Sequence, residues 1–194
     1  NMKDIYVLGI YSGHGAGAAL LKNGKIIACV SEERFSGIKN HMGLPQRSID
    51  FCLKFAGVAV SEIDLVAIPS SFGVPMFVSE GTKKQKIVKL LETIYTNVGL
   101  WRKFWGRLVY YFPKIRPLGS FFYYIATKTY GEYLLQKEKR FIADYLNISV
   151  EKIINTGHHL SHAAAGYYSS PFNQQKALVL TLDAEGDRVC STVN

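Results

Sequence analysis

Short apolar runs separated by turn signals dominate the first 70 residues, and this pattern is typical of a β-sheet. The predicted strands span residues 5–10, 18–21, 26–30 and 65–68. The pair Asn23-Gly24 suits the positive φ angles of a tight hairpin between the second and third strands. Residues 45–57 show the helical spacing of apolar positions, and Gly57 is a typical residue to end a helix. The first part of the chain is therefore predicted to be β-β-β-α-β.

The pattern becomes helical from about residue 82 to residue 146, a segment that holds 15 of the 25 aromatic residues. Pro113 and Pro117 are expected to interrupt this segment near its middle. The elements predicted after it are a strand at 152–154, a helix from residue 158, a strand at 177–182 and a second strand from residue 188. Strands and helices thus mix along the chain, which predicts an α/β fold with a helical, aromatic-rich insertion.

The composition is that of a globular protein, with 48% hydrophobic and 20% charged residues. A chain of 194 residues is long enough for one sizeable core or two small lobes. No apolar run of about 18 residues occurs, so no membrane-spanning helix is predicted. No signal peptide pattern is visible either. Cys29, Cys52 and Cys190 are scattered within apolar stretches, which indicates buried free thiols in a reducing cytoplasm.

The net charge of +8 is concentrated in one segment, because residues 83–140 carry a net charge of +10 and the remainder −2. Such a basic, aromatic segment suits a lid that recognises an acceptor, an amphipathic element at an anionic lipid surface, or a nucleic-acid-binding surface. It also suits a helical subdomain with its own aromatic core. Adjacent aromatic pairs such as Phe121-Phe122 point to several faces of a helix. This favours the packed subdomain first and the acceptor role second, with neither nucleic acid nor membrane as partner.

Three histidines within five residues are the most informative motif. His158 and His162 are four residues apart, so on a helix they lie on the same face. Two neutral imidazole nitrogens in this geometry can hold one divalent metal ion, and Asp183 at the end of the next apolar run can supply a carboxylate. Without this context, two histidines four residues apart are also typical of a helix face that caps or packs and binds no metal. His159 faces away from the other two, and we interpret it as structural or as a substrate contact.

Two glycine-containing turns stand at corresponding places in the chain. Residues 13–17 read Gly-His-Gly-Ala-Gly after the first strand, and residues 183–187 read Asp-Ala-Glu-Gly-Asp after a later one. Backbone N–H groups in such turns can approach phosphate oxygens closely. Two turns of this kind facing each other are typical of the ATPase fold shared by actin, hexokinase and Hsp70. Gly13, Gly15 and Gly186 are therefore the candidate nucleotide-binding residues.

Several segments together resemble the N-terminal part of the NodU/CmcH/TobZ family of O-carbamoyltransferases. Their order and spacing match over residues 5–75 and 140–194, and the double-histidine motif with Glu-Glu-Arg-Phe is quite specific. The matching segments are Leu8-Gly9-Ile10 with residues 14–26, Ser31-Glu32-Glu33-Arg34-Phe35, Lys39 with Gly43-Leu44-Pro45, residues 49–53, residues 158–164, Ser170-Pro171-Phe172 and Leu182-Asp183-Ala184-Glu185-Gly186.

The resemblance implies an actin-like ATPase superfold (ribonuclease H-like, Kae1-like), truncated here, with 1–81 as its first part, 82–146 as the insertion and 147–194 as the metal-motif helix and the start of a second lobe. A YrdC-like domain would follow and make carbamoyl-adenylate from carbamoyl phosphate and ATP. The Kae1-like part would then pass the carbamoyl group to a hydroxyl of a small-molecule or saccharide acceptor. The same resemblance implies Fe²⁺ or another divalent metal on His158, His162, Asp183 and a later aspartate.

Two further residues are candidates for catalysis. His14 could help deprotonate the acceptor hydroxyl or bind the carbamoyl group, or it could simply face water. Lys39 could contact phosphate or the carbamoyl oxygen, or be a solvated lysine. The first turn departs from the family, which has His-Asp there, so no role of that aspartate transfers to this chain.

The chain is expected to be a piece of a longer cytoplasmic enzyme and to be inactive by itself. The alternative function is a non-catalytic ATPase-fold module, or a nucleic-acid-binding module of the tRNA-modification type. The oligomeric state stays open, a homodimer included.

Overall fold

The computed structural model describes residues 3–70, 103–104, 106–187 and 189–194. The early part of the predicted helical segment therefore lies outside the described residues, as does Trp105. The first half of the chain forms strands β1 (Tyr6–Tyr11), β2 (Gly17–Lys22), β3 (Lys25–Ser31) and β4 (Leu65–Ile68), with helices α1 (Glu33–Ser36) and α2 (Gln46–Ala56) between β3 and β4. The predicted β-β-β-α-β order is confirmed, with the short α1 in addition.

A five-stranded sheet organises this region, in the order β3-β2-β1-β4-β5, where β5 spans Ile153–Asn155. β1, β2 and β3 pair antiparallel, whereas β1, β4 and β5 run parallel. The hairpin between β2 and β3 turns at Asn23 and Gly24, whose φ angles are 50° and 77°. Both angles are positive, as the tight-turn prediction required. The chain is thus α/β with a mixed sheet, an architecture compatible with nucleotide binding.

The core lies where α2 covers the sheet. Leu8, Ile10 and Leu20 of the sheet are almost fully buried against Ile49 and Cys52 of α2. Helix α2 ends at Gly57, which has a φ of 65° and donates its N–H to the carbonyls of Leu53 and Lys54. Such a left-handed residue is the usual end of a helix.

Glu32 caps the start of α2 from outside the helix. Its buried carboxylate accepts the backbone N–H of Ser48 (2.8 Å), the Ser48 hydroxyl (2.7 Å) and the backbone N–H of Arg47 (3.2 Å). The first N–H groups of a helix have no partner within the helix, and a carboxylate there also suits the helix dipole. Glu32 is therefore structural, and its hydrogen-bond partners lie at the start of α2.

A 31-residue helix, α3 (Arg116–Leu146), follows a short 3-10 turn at Pro113–Ile115. The interruption predicted at Pro113 is present. Pro117 lies in the first turn of α3 and so begins the helix instead of breaking it, because proline lacks only an N–H that would be unpaired there. Towards its end α3 packs into the sheet's own core through Leu135, Ile142, Ala143 and Leu146.

The last third contains helix α4 (His158–Tyr168) and a separate two-stranded antiparallel sheet of β6 (Leu180–Gly186) and β7 (Val189–Val193). The strand predicted at residues 177–182 begins later, at Leu180, and continues to Gly186, and its pairing with β7 is irregular between Leu182 and Gly186. Asp183 consequently lies within a distorted strand, where its side chain can turn towards α4. Across the residues that the structure describes, no helix combines the length and the apolar character needed to cross a bilayer.

Candidate active site

The first two turns of α4 hold two histidines on one helix face. The imidazole rings of His158 and His162 have centroids 4.6 Å apart, and their Nε2 atoms are 3.0 Å apart. This is the i, i+4 arrangement predicted from the sequence. Gly157 precedes the helix with a φ of 77°, a conformation that favours glycine and lets the chain turn sharply out of β5.

Asp183 brings a carboxylate to the same point from β6. Its Oδ2 lies 2.6 Å from His158 Nε2 and 3.6 Å from His162 Nε2. One donor atom from each of the three residues falls within 4.8 Å of the others. Two nitrogens bound to one ion at about 2.1 Å and at a right angle would be roughly 3 Å apart, as these are. Two imidazoles and a carboxylate thus fit a borderline divalent ion such as Fe²⁺ or Zn²⁺.

Polar contacts fix α4 against the hairpin that carries Asp183. Asp187 accepts the backbone N–H of His158 at 2.7 Å. His159 is buried, and its Nε2 donates to the carbonyl of Val189 at 2.7 Å while its Nδ1 meets the hydroxyl of Thr181 at 2.7 Å. His159 therefore has a structural role: it holds the helix and the hairpin at the spacing that the histidine–aspartate cluster needs.

Gly186 lies against the cluster and not in an open turn. A Cβ added there would overlap the imidazole of His158. Only glycine lets β6 approach α4 this closely, since any side chain would displace the ring. Nucleotide binding by Gly186 stays a prediction, whereas its contact with His158 is visible.

Both candidate catalytic side chains face solvent, and hydrogen bonds to the loop that follows α1 hold the first turn in place. His14 is exposed, and Lys39 is exposed on the following loop. The N–H groups of Gly15 and Ala16 donate to the carbonyl of His41, at 3.1 and 2.9 Å. Gly15 has a φ of 76°, and Gly13 is buried beneath the ring of Tyr11. A phosphate at Gly15 would therefore have to compete with His41 for the N–H donor.

A cavity of about 90 Å³ lies beyond the carboxyl ends of the parallel strands, next to His158. In α/β sheets this edge is where ligands bind. The residues lining the cavity are Ile10, Tyr11, Ser12, Ile68, Pro69, Ser70, Glu138 and His158. The cavity is lined both by Tyr11 and Ser12, which lead into the first turn, and by His158 of the histidine–aspartate cluster. The sequence motifs alone did not predict this cavity.

Sequence reasoning missed Glu138, a buried carboxylate of α3 that accepts the hydroxyl of Ser12 at 2.6 Å. One signal could have found it. Glu138 lies four residues after Leu134 and four before Ile142, so it interrupts an apolar helix stripe that is buried in the structure.

The phenol of Tyr11 is partly buried and is influenced by two carboxylates. Burial raises the pKa of its phenol, and the negative charges of Asp183 and Glu138 raise it further. The Tyr11 hydroxyl therefore stays protonated, and it remains a hydrogen-bond donor at the cavity wall at neutral pH.

Comparison with known proteins defines the class to which this fold and site belong. Residues 6–193 match the model of the carbamoyltransferase N-terminus. The chain is 29% identical over 185 residues to an uncharacterised protein of Synechocystis, and 30% identical over 174 residues to the nodulation protein NolNO of Sinorhizobium fredii. A third relative, an uncharacterised protein of Methanocaldococcus jannaschii, is 39% identical over 66 residues, which are 34% of this chain and 12% of that protein. The chain belongs to the carbamoyltransferase family, as its motifs predicted.

The match covers nearly all of this chain but a small part of its relatives. It covers 94% of the chain and 26% of the Synechocystis protein, and 90% of the chain and 20% of NolNO.

Proposed function

We propose that this chain forms the acceptor-side part of an O-carbamoyltransferase, which receives a carbamoyl group as carbamoyl-adenylate and transfers it to a hydroxyl of a small-molecule or saccharide acceptor. The observation that carries the proposal is the convergence of His158, His162 and Asp183 beside a cavity at the carboxyl edge of the sheet. Membership of the carbamoyltransferase family supplies the reaction class. The mixed sheet and its strand order support an actin-like, Kae1-like assignment.

His158, His162 and Asp183 would hold the divalent metal in this scheme, with a further ligand from elsewhere in the full-length protein. Bound there, the ion would supply Lewis-acid polarisation of the carbamoyl carbonyl and orientation of the donor. His159, Asp187 and Gly186 keep the three ligands in place through the contacts described above. The proposal predicts that the ligand set is arranged before the ion arrives.

Two exposed residues complete the proposed chemistry. His14 would accept the proton of the acceptor hydroxyl as that oxygen attacks the carbamoyl carbon, and imidazole is suited to this near neutral pH. The bond from the carbamoyl carbon to the phosphate oxygen of the adenylate would break in the same transfer, and AMP would leave. Lys39 would contact the phosphate of the donor. Both side chains face solvent, where an acceptor can reach them. Carbamoyl phosphate and ATP would generate the adenylate in a YrdC-like domain of the same protein.

The full-length protein, incubated with labelled carbamoyl phosphate, ATP and a panel of hydroxylated acceptors, should convert ATP to AMP and transfer label to an acceptor. His162→Ala should abolish both label transfer and bound metal, measured by elemental mass spectrometry. His14→Ala serves as the matched histidine control, because it should lose transfer while keeping the metal. Absence of both AMP formation and label transfer to every acceptor would refute the carbamoyltransferase proposal. Unchanged metal content in His162→Ala would refute the ligand assignment.

A further inference from the structure

The second face of the five-stranded sheet is apolar across its whole width. The first face is buried in the core that α2 and α3 share, with residues such as Leu8 and Val66. Alternate residues of each strand point to the opposite, second face, where paired positions form two rows across the sheet. The rows are Ile26, Leu21, Val7 and Leu65, and then Cys29, Ala19, Gly9, Ala67 and Ile154. Neither row contains a charged side chain.

This second face is open in the structure. Leu65 is 36% exposed, Ile154 40% and Ile26 59%. Among the described residues, a Cβ built on Gly9 would meet only the carbonyl oxygen of Ala19, at 3.7 Å, so there is free space above the middle of β1. The solvated face of a sheet usually carries polar side chains, and parallel strands usually have both faces covered. A continuous apolar surface of this kind is typical of a docking surface.

The relief of the face suits a helix. Gly9 and Ala67 lie side by side on β1 and β4, and the bulkier Val7 and Leu65 lie side by side in the neighbouring row. Small residues let a helix approach the sheet closely, and the bulkier pair can pack into its side. A helix is about 10–12 Å across and strands are about 4.8 Å apart, so one helix covers roughly two to three strands. A helix along β1 and β4 leaves the edge strand β3, with Cys29, outside its footprint.

The size of the face favours an occupant from the same chain over a second copy. The two rows hold nine residues, whereas a stable interface between separate proteins takes roughly 20–30 residues a side. A tethered segment needs less area, because its effective concentration is high. Such a segment is available in the relatives, of which this chain covers only 26% and 20%. The matched family model is an N-terminus, so the remainder of those proteins follows the matched region.

We propose that an amphipathic helix, from the part of the full-length protein that follows residue 194, docks by its apolar stripe on the second face of the sheet, along β1 and β4. This goes beyond the proposed function and does not depend on it. β1 ends at Tyr11 and β4 at Ile68, and both residues line the cavity next to His158. The docked helix would therefore brace the two strands that carry this cavity.

Thiol labelling of the full-length protein tests whether the face is covered. Leu65→Cys should react with iodoacetamide at least about tenfold more slowly than Val150→Cys, because labelling at position 65 then requires the helix to detach. Val150 is the matched control, since it is an aliphatic residue with 39% exposure against 36% for Leu65. Peptide mass spectrometry follows each site separately. Equal labelling rates would overturn the proposal. If Leu65→Cys does not fold, Ala67→Cys is a smaller change on the same strand and should show the same protection.

Cross-linking identifies the occupant. Photo-leucine, a diazirine analogue of nearly the same shape as leucine, is incorporated into a mixture of ¹⁵N-labelled and unlabelled full-length protein. Irradiation should join the peptide that contains position 65 to a peptide beyond residue 194 of the same molecule. Mixed-isotope cross-links, with protection that disappears on dilution, would assign the face to a second copy and overturn the proposal. A cross-link confined to residues 1–194 would overturn it as well. Neither result would bear on carbamoyl transfer, which the label-transfer assay measures separately.

Discussion

The five-stranded sheet and the β6–β7 hairpin are stabilised in different ways. The sheet buries Leu8, Leu20 and Ile49 completely, whereas the hairpin leaves Leu182 85% exposed and Val193 67% exposed. Hydrogen bonds of Asp187 and His159 secure the hairpin to α4 instead. Apolar burial stabilises the sheet without direction, while directional polar contacts fix the distances around Asp183. The difference indicates that the sheet provides folding stability, whereas the hairpin positions Asp183 relative to the histidines of α4.

Two buried glutamates show the same division at the level of single residues. Glu32 and Glu138 are each 4% exposed. Glu32 accepts three hydrogen bonds from the start of α2, so its carboxylate is used for folding. Glu138 accepts the hydroxyl of Ser12 and is one of the residues that line the cavity next to His158. Burial alone therefore does not separate a carboxylate that caps a helix from one that lines a cavity.

The largest effect should come from the core of the first region. Ile49→Ala removes a fully buried side chain, and we expect the free energy of unfolding to fall by about 2–5 kcal/mol. Leu182→Ala in the hairpin should change it by less than about 0.5 kcal/mol, because this side chain is exposed. Urea denaturation measures both. A large cost for Leu182→Ala would show that another surface covers the hairpin and would break the comparison.

The next largest difference between the core and the hairpin should be in the reactivity of their cysteine thiols. Burial raises the pKa of Cys52 to about 11, so at pH 8 its thiolate is about a hundredfold scarcer than that of a thiol with the ordinary pKa of 9.0. Cys190 in the hairpin and Cys29 in β3 are exposed, so the prediction of buried thiols is confirmed for Cys52 and wrong for these two. Iodoacetamide should modify these two in the native protein and Cys52 only after unfolding, as mass spectrometry can show. Rapid native labelling of Cys52 would contradict the closed core.

A methyl group at Gly186 should disturb the site more than the fold. Gly186→Ala forces the His158 ring to move, and overpacking of this kind costs about 1–3 kcal/mol. Bound metal should be lost as well. Gly166→Ala in α4 meets open space and should be neutral or slightly stabilising, since alanine favours a helix. Thermal melting measures the stability of both variants, and elemental analysis measures their metal content. Full metal content in Gly186→Ala would contradict the close approach of β6 to His158.

The smallest effect concerns acid stability at the start of the sheet. The hydrogen bond from Lys3, followed by that from the Tyr6 N–H, holds the pKa of Asp64 below its usual value. A lowered folded pKa gives stability that is present above about pH 4 and is lost as the pH falls through the folded pKa. Asp64→Asn should flatten the pH dependence of unfolding in that acidic range. Lys3→Ala should flatten it less, because the Tyr6 contact remains.

Local patterns predicted much of the fold. The Asn23-Gly24 hairpin, the end of α2 at Gly57 and the histidine face of α4 each depend on residues close together in sequence, and each is present. The end of β6 was predicted wrongly because its irregular pairing with β7 depends on contacts with α4. Asp183 lies beside the two histidines, as the sequence predicted. Only the tertiary structure gives the distances between its carboxylate and the two imidazoles.

The sequence by itself determined the order of the strands and helices, the shared face of His158 and His162, and membership of the carbamoyltransferase family, because periodicity and motifs are local properties of the chain. Only the tertiary structure decided that Glu138 meets Ser12 and that Gly186 lies against His158. These pairs are 126 and 28 residues apart in sequence, and no local preference encodes such distances. They arise because burial of the apolar stripe of α3 and the hydrogen bonds of Asp187 and His159 bring these residues together in the folded chain.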